Sequence, residues 1–208
     1  HTTPTQVMDK LKSYLSKTGV DIHPQTEVQG FSHTADRLTG VKTNRGSFPA
    51  EEVVLASGAW SPILARELGL KLSLQAGKGY RIDIHRPTPA RLPAILMEAK
   101  VAVTPMQGFT RLAGTMEFSG INHHIRKNRV AAIARLAETY YENFTVEPRD
   151  EEKAACGLRP VTPDGLPYIG RVSHWKNLSL ATGHAMMGWS MATGTGKLVS
   201  ELISGKTL

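Results

Sequence analysis

The sequence predicts an α/β (α+β) chain, in which part of an α/β layer is joined to a domain built on an antiparallel sheet. Three observations carry this. Two buried-strand runs, Val53-Val54-Leu55-Ala56 and Leu178–Ala181, each turn through glycine into a helix. Between them, the stretch 72–120 breaks into short apolar runs separated by Gly and Pro, as an antiparallel sheet does. A long helix is then expected from Asn128 to about Phe144, with Val130, Ile133, Ala134, Leu136, Ala137 and Tyr140 in its apolar stripe.

The elements follow in order. Pro4 to Lys17 reads as a helix with Val7, Leu11 and Leu15 on one face, and Gly19 stops it. Short strands are expected at Val20–His23, Glu27–Phe31 and Leu38–Thr43, with a turn at Asn44-Arg45-Gly46. Phe48 opens the return to the strand at Glu52–Ala56. Ser61-Pro62 starts a helix to about Leu68, with Ser as N-cap and Pro at the first helical position. The sheet strands are Gly79–Ile84, Ile95–Glu98, Val101–Pro105 and Thr110–Thr115. Lys153–Gly157 reads as extended, Arg159 to Gly170 as a loop, and Ser190 to Ser204 as a final helix capped by Gly205.

Composition narrows the function. The 208 residues are 40% hydrophobic and 21% charged, ordinary for a globular protein. No run approaches the roughly 18 apolar residues of a membrane span. No secretory pattern opens the chain, and His1-Thr2-Thr3-Pro4 reads as the middle of a protein. The single cysteine, Cys156, rules out an internal disulfide and fits a reducing compartment. The net charge of +7 is scattered apart from the run 123–129, which reads as a solvated loop and helix start or as a contact with anionic lipid or a partner. Aromatic residues are few and not interleaved with the basic ones, so no nucleic-acid partner is expected.

Three segments could carry chemistry. Gly183-His184-Ala185-Met186-Met187-Gly188-Trp189-Ser190 leads from a strand into the last helix, whose first N–H groups lack internal partners and attract electron-rich atoms. Arg159, between Leu158 and Pro160, has a planar fork that matches a carboxylate, either a ligand's or the chain's own Asp164. Ser57-Gly58-Ala59-Trp60 is a tight connection where Gly58 lets a ligand approach the backbone. Read alone, each of the two turns also fits an ordinary strand-to-helix connection. Gly194-Thr195-Gly196-Lys197 mimics a phosphate loop, but Leu198 stands where Ser or Thr would hold Mg²⁺. No metal site is expected.

Taken together, "VVLASGAWS", "GKGYRI", "GLRPVTPDGLPYIGR" and "GHAMMGWSMATGTGKLVSELISG" resemble the D-amino-acid oxidase-like flavoproteins, and most of all D-amino-acid dehydrogenases. The resemblance covers nearly the whole chain. It implies an FAD-binding layer from residues 1–70 and 150–208 and a substrate-binding domain from 71–149. It implies non-covalent FAD lined by Val28, Ser57, Gly58, Trp60 and the run Gly183 to Ser190. Arg159 would bind the substrate carboxylate, and Tyr80 would face the substrate. The reaction implied is oxidative deamination of a small D-amino acid to a 2-oxo acid and ammonia. Hydride would pass from Cα to the flavin, and the helix beginning near Trp189 would stabilise the charge that develops there.

Glycine oxidases carry Arg-Asn where this chain has Met186-Met187, which argues for an apolar side chain on the substrate. Cys156 is about one residue out of register with the covalent flavin attachment of sarcosine oxidases, so an inert thiol is expected. The family's G-x-G-x-x-G phosphate loop is not found in the sequence. The expectation is therefore a C-terminal half whose N-terminal Rossmann βαβ unit, or a partner chain carrying it, is missing, and which is inactive alone. A quinone or dye is the expected electron acceptor, and the cytoplasm, at the face of the inner membrane, the expected location. Two alternatives stand: an amine oxidase of the glycine or sarcosine type, and a non-catalytic module unable to hold FAD alone.

Overall fold

A computed structural model describes residues 3–206; His1 and Thr2, part of the expected chain-interior start, lie outside them. In chain order the elements are α1 (Pro4–Lys17), β1 (Val28–Thr34), β2 (Arg37–Thr43), β3 (Gly46–Pro49), β4 (Val53–Leu55), a 3-10 turn (Gly58–Trp60) and α2 (Ser61–Glu67). Then come β5 (Gln75–Ile84), β6 (Ala94–Leu96), β7 (Val101–Met106), β8 (Phe109–Phe118), α3 (Lys127–Glu138) and α4 (Pro148–Glu152). The last are β9 (Ala155–Val161), β10 (Tyr168–Arg171), β11 (Leu178–Thr182) and α5 (Gly188–Ile203).

The chain divides into two compact units. Among the described residues the first holds 3–23, Lys78–Glu117 and Asn122–Gly157; the second holds Pro24–Gly77, Phe118–Ile121 and 158–206. The expectation grouped α1 with the α/β layer. It falls instead in the first unit, where Gln6 Nε2 donates to Gln107 Oε1 at 2.6 Å.

The first unit is built on the sheet ordered β6-β7-β8-β5-β9. Strand alternation sends Tyr80, Ile82 and Ile84 of β5 to one face, where Val101, Val103 and Leu112 join them. Val130, Ile133, Ala134 and Ala137 recur at helical spacing along α3 and complete this core. Gly114 lets α3 come close to β8, since a Cβ there would lie 3.1 Å from Ile133 Cγ1. The apolar stripe of α1 stays outside the core, because none of its residues is buried.

The second unit has two three-stranded sheets. One is the meander β1-β2-β3, and Gly46 at φ +116° makes its last turn. The other is β10-β11-β4, in which β10 runs antiparallel and β4 parallel to β11. Leu38, Val53, Leu55, Ala65, Leu68 and Leu178 form the core with Trp175, whose indole N–H reaches Leu68 O at 3.0 Å. Asn177, fully buried, ties the sheets together. Its Oδ1 accepts from Leu38 N at 2.9 Å, and its Nδ2 donates to Leu38 O at 2.8 Å and Glu51 O at 2.7 Å.

Several expected elements differ. Val20–His23 is not a strand, because Val20 N–H turns back to Leu15 O at 3.0 Å and stays with the end of α1. α3 ends at Glu138, before the β-branched and aromatic run Thr139-Tyr140-Tyr141, which favours helix poorly. The sequence reading missed α4, although Pro148 opens it and Glu147 and Asp150 form its reciprocal cap. Ser61 is not an N-cap but the first residue inside α2. The expected loop at Arg159 begins later, since β9 runs on through Val161: Pro160 O accepts from Ala185 N at 2.9 Å, and Val161 bridges His184.

Candidate functional site at the carboxyl ends of two parallel strands

Parallel β4 and β11, in register with Leu55 opposite Leu180, end side by side, and each leads into a helix. Outside such strand ends is where open α/β sheets bind ligands. The two connections are locked by hydroxyls. Ser61 Oγ donates to Thr182 Oγ1 at 3.0 Å, Thr182 Oγ1 donates to Gly58 O at 3.2 Å, and Ser57 Oγ lies 3.1 Å from Ser61 Oγ. Ser61 and Thr182 are both buried. Ser57, Gly58 and Trp60 are thereby gathered with the segment that begins at Gly183. Gly58 sits at φ +57°, and Trp60 leaves 43% of its surface exposed.

The second connection is tightly specified. Gly183 has φ +88°, and a Cβ on it would lie 2.8 Å from Thr162 Cγ2. Ala185 takes φ +46°, a sparsely populated region for a residue with a side chain. The loop is held by Ala185 N donating to Pro160 O and Met187 N donating to His184 O at 2.8 Å. His184 Nε2 lies 2.9 Å from Thr195 Oγ1 on α5, and burial pulls its imidazole below the ordinary histidine value. α5 then begins with no side-chain cap and no acidic residue in its first turn. Its first N–H groups lack partners within the helix and carry partial positive charge. Met186, Met187 and Trp189 surround this helix start as exposed apolar surface.

Arg159 lies on β9, two residues before the bridge from Val161 to His184, so its strand is bound to the same loop. It is half-buried, and loss of solvent lowers its guanidinium pKa from the usual arginine value. Asp164 Oδ1 accepts from Leu166 N at 3.0 Å, which closes the turn after β9. Val28 stands apart from this bonding: it opens the edge strand β1 and pairs with Thr43.

Tyr80 belongs to the first unit. Its side chain is 1% exposed, and its hydroxyl donates to Glu117 Oε2 at 2.7 Å. Burial first, and then this bond, raise the phenol's pKa. Cys156, a free thiol, packs partly buried against the core of the first unit.

Sequence reasoning missed Thr162, Thr182 and Thr195. Thr182 acts through partners distant in sequence, and no local spacing marks the contacts of Thr162 with Gly183 or of Thr195 with His184.

Two parallel strands opening onto a bare helix start, with glycines at the turns, are the arrangement outside which open α/β sheets bind ligands. Residues 1–202 match the model of the family described as FAD dependent oxidoreductase. The chain belongs to that family. It is 34% identical over 191 residues to a D-amino acid dehydrogenase of Granulibacter bethesdensis, covering 90% of this chain and 45% of the relative. It is also 34% identical over 200 residues to a D-amino acid dehydrogenase of Paramagnetospirillum magneticum, covering 95% and 47%. The chain therefore spans about half the length of these curated relatives. Among solved structures, glycine oxidase from Bacillus cereus superposes with a TM-score of 0.80 at 27% identity, over 93% of this chain and 54% of that one. L-proline dehydrogenase from P. horikoshii shares the fold, with a TM-score of 0.80 at 23% identity over 92% and 53%. No described helix is long and apolar enough to cross a membrane.

Proposed function

We propose that this chain forms the flavin-ring and substrate-carboxylate side of an enzyme that oxidatively deaminates small D-amino acids. The observation that carries the reading is the bonding of the Gly183–Met187 loop to β9, which fastens the start of α5 to the strand bearing Arg159. The residues fit FAD at its ring end: Gly58, Gly183 and Ala185 take positive φ at the two turns, and α5 begins without a side-chain cap on its first N–H groups. FAD, when bound, supplies the hydride-accepting chemistry.

The chain's own residues bind and orient. Arg159 takes the substrate carboxylate in two parallel hydrogen bonds, an orienting role. His184, its pKa lowered by burial, holds the loop against α5 through Thr195. Met186, Met187 and Trp189 present apolar surface, which favours an apolar substrate side chain over a charged one. The cofactor's phosphates are held by residues beyond this sequence, in a complementary half or partner chain. A quinone or dye is the electron acceptor, and the enzyme works on the cytoplasmic side, at the inner membrane.

The test is an assay of the protein purified from its source with whatever accompanies it. D-Alanine should drive reduction of a quinone-like dye, with ammonia and pyruvate formed. A preparation that contains no flavin and gives no substrate-dependent reduction overturns the proposal. A second reading, an oxidase of the glycine type, draws on the likeness to glycine oxidase. Oxygen uptake with glycine exceeding dye reduction with D-alanine would select it.

A further inference from the structure

Three hollows in the second unit share Leu74 and together make one furrow. The first, of about 250 Å³, is walled by Pro62, Ile63, Phe118 and Ile121. The second, of about 490 Å³, continues over Gly69–Leu72. The third, of about 600 Å³, runs on to Val161–Pro163. Its apolar walls are open to solvent: Ile63 is 46% exposed, Phe118 57% and Ile121 40%. Exposed apolar side chains gathered in one groove mark a place where a ligand or a partner binds, and the charge of the groove distinguishes between occupants.

The charge of the furrow is one-sided. Arg66 lines the first two hollows and Lys71 the second, while no Asp or Glu lines any of the three. Among the described residues neither cation makes an ion pair or a side-chain hydrogen bond. Gln75 adds a neutral donor at the junction of the first and third hollows.

We propose that this furrow binds a small soluble carboxylate with an apolar tail. The tail lies against Ile63, Leu74, Phe118 and Ile121, and the carboxylate meets Arg66 with Lys71 beside it. The charge complementarity chooses the ligand: an apolar body alone would not need two unpaired cations, and a cationic one would be repelled by them. Ala59 and Val161 to Pro163 border the connections described above, but Arg66 and Lys71, which carry the proposal, lie outside them, so the carboxylate site can be tested whether or not the flavin reading holds.

The experiment titrates the isotope-labelled chain with octanoate, octylammonium and 1-octanol and follows backbone amide shifts. Octanoate should move the amides of Arg66, Lys71 to Gln75 and Phe118 to Ile121, with octylammonium silent and octanol at least tenfold weaker. Arg66→Gln should weaken octanoate about tenfold, the effect of losing one charge-assisted hydrogen bond. Arg66 is exposed and makes no side-chain bond, so the fold should not suffer; Lys71→Gln is the second variant, expected to weaken binding several-fold. Equal binding of octanol, shifts confined to other segments, or unchanged affinity in both variants overturns the proposal. So does binding to phosphatidylglycerol vesicles without any response to octanoate, which would make the furrow a lipid-surface contact.

Discussion

The Lys78 ammonium lies 3.2 Å from Glu117 Oε1, with the two side chains 1% and 5% exposed. Glu117 also receives Arg126 Nε at 3.2 Å, Arg129 Nε at 3.1 Å and the Tyr80 hydroxyl. Lys78 Nζ donates further to Asn122 Oδ1 at 2.6 Å and His124 O at 3.0 Å. A buried pair is costly to break from either side, but the sides are unequal here. Glu117→Leu leaves Lys78 charged among neutral acceptors and the Tyr80 hydroxyl without its acceptor. It should cost about 3–5 kcal/mol. Lys78→Met leaves Glu117 with two arginines and should cost less, about 1–3 kcal/mol. Urea unfolding of both single variants and the double variant checks this, and the double should be more stable than Glu117→Leu alone.

Gly183→Ala tests how tightly the loop before α5 is specified. The substitution meets a positive φ and a contact of 2.8 Å with Thr162 Cγ2. The expected loss is about 1–3 kcal/mol of stability. Thr162→Ser keeps the hydroxyl that donates to Leu166 O and removes the clashing methyl. The double variant should therefore recover only the steric part and leave the backbone part, which thermal unfolding of the three variants would separate.

Arg159→Lys should separate carboxylate recognition from stability. Lysine keeps the charge but cannot offer the planar fork. The expected result in the assembled enzyme is KM for D-alanine raised about ten- to hundredfold, with unfolding little changed. A KM that does not move removes Arg159 from the substrate site.

His184 gives a pH signature. Burial depresses its folded-state pKa below the ordinary value of about 6.5. The unfolded chain then binds more protons between the two values, so stability is full above the unfolded value and falls as pH drops through the folded one. His184→Gln removes this titration. The urea midpoint of the parent chain should fall relative to the variant as pH drops below the ordinary histidine value of about 6.5. Equal slopes for both chains would assign the acid sensitivity elsewhere.

Local signals made most of the fold legible. Alternation on β5, helical spacing on α3 and the glycine turns into α2 and α5 each lie within one short window. Val20–His23 misled because its apolar residues look like a strand, while the bond from Val20 N to Leu15 O belongs to the helix before it. Of the site, the two strand-to-helix turns and Arg159 were visible as motifs. Their union was not, because Thr182, Thr162 and Thr195 are ordinary threonines until the fold supplies Gly58, Gly183 and His184 as partners.

That union can itself be tested at the hydroxyl link between the two connections. Thr182→Val keeps the shape of the side chain and removes the acceptor for Ser61 Oγ and the donor to Gly58 O. Both side chains are buried, so the lost bonds are not replaced by water, and the expected cost is about 1–3 kcal/mol. Ser61 still has Ser57 Oγ at 3.1 Å, so its own loss is partial and the larger share falls on Gly58 O. Ser61→Ala alone should cost less, since Thr182 keeps Gly58 O. In a double-mutant cycle the two should be non-additive by about 0.5–1.5 kcal/mol, because they share one bond. Additive losses would mean that the connections are held independently, and that the strand ends do not act as one site.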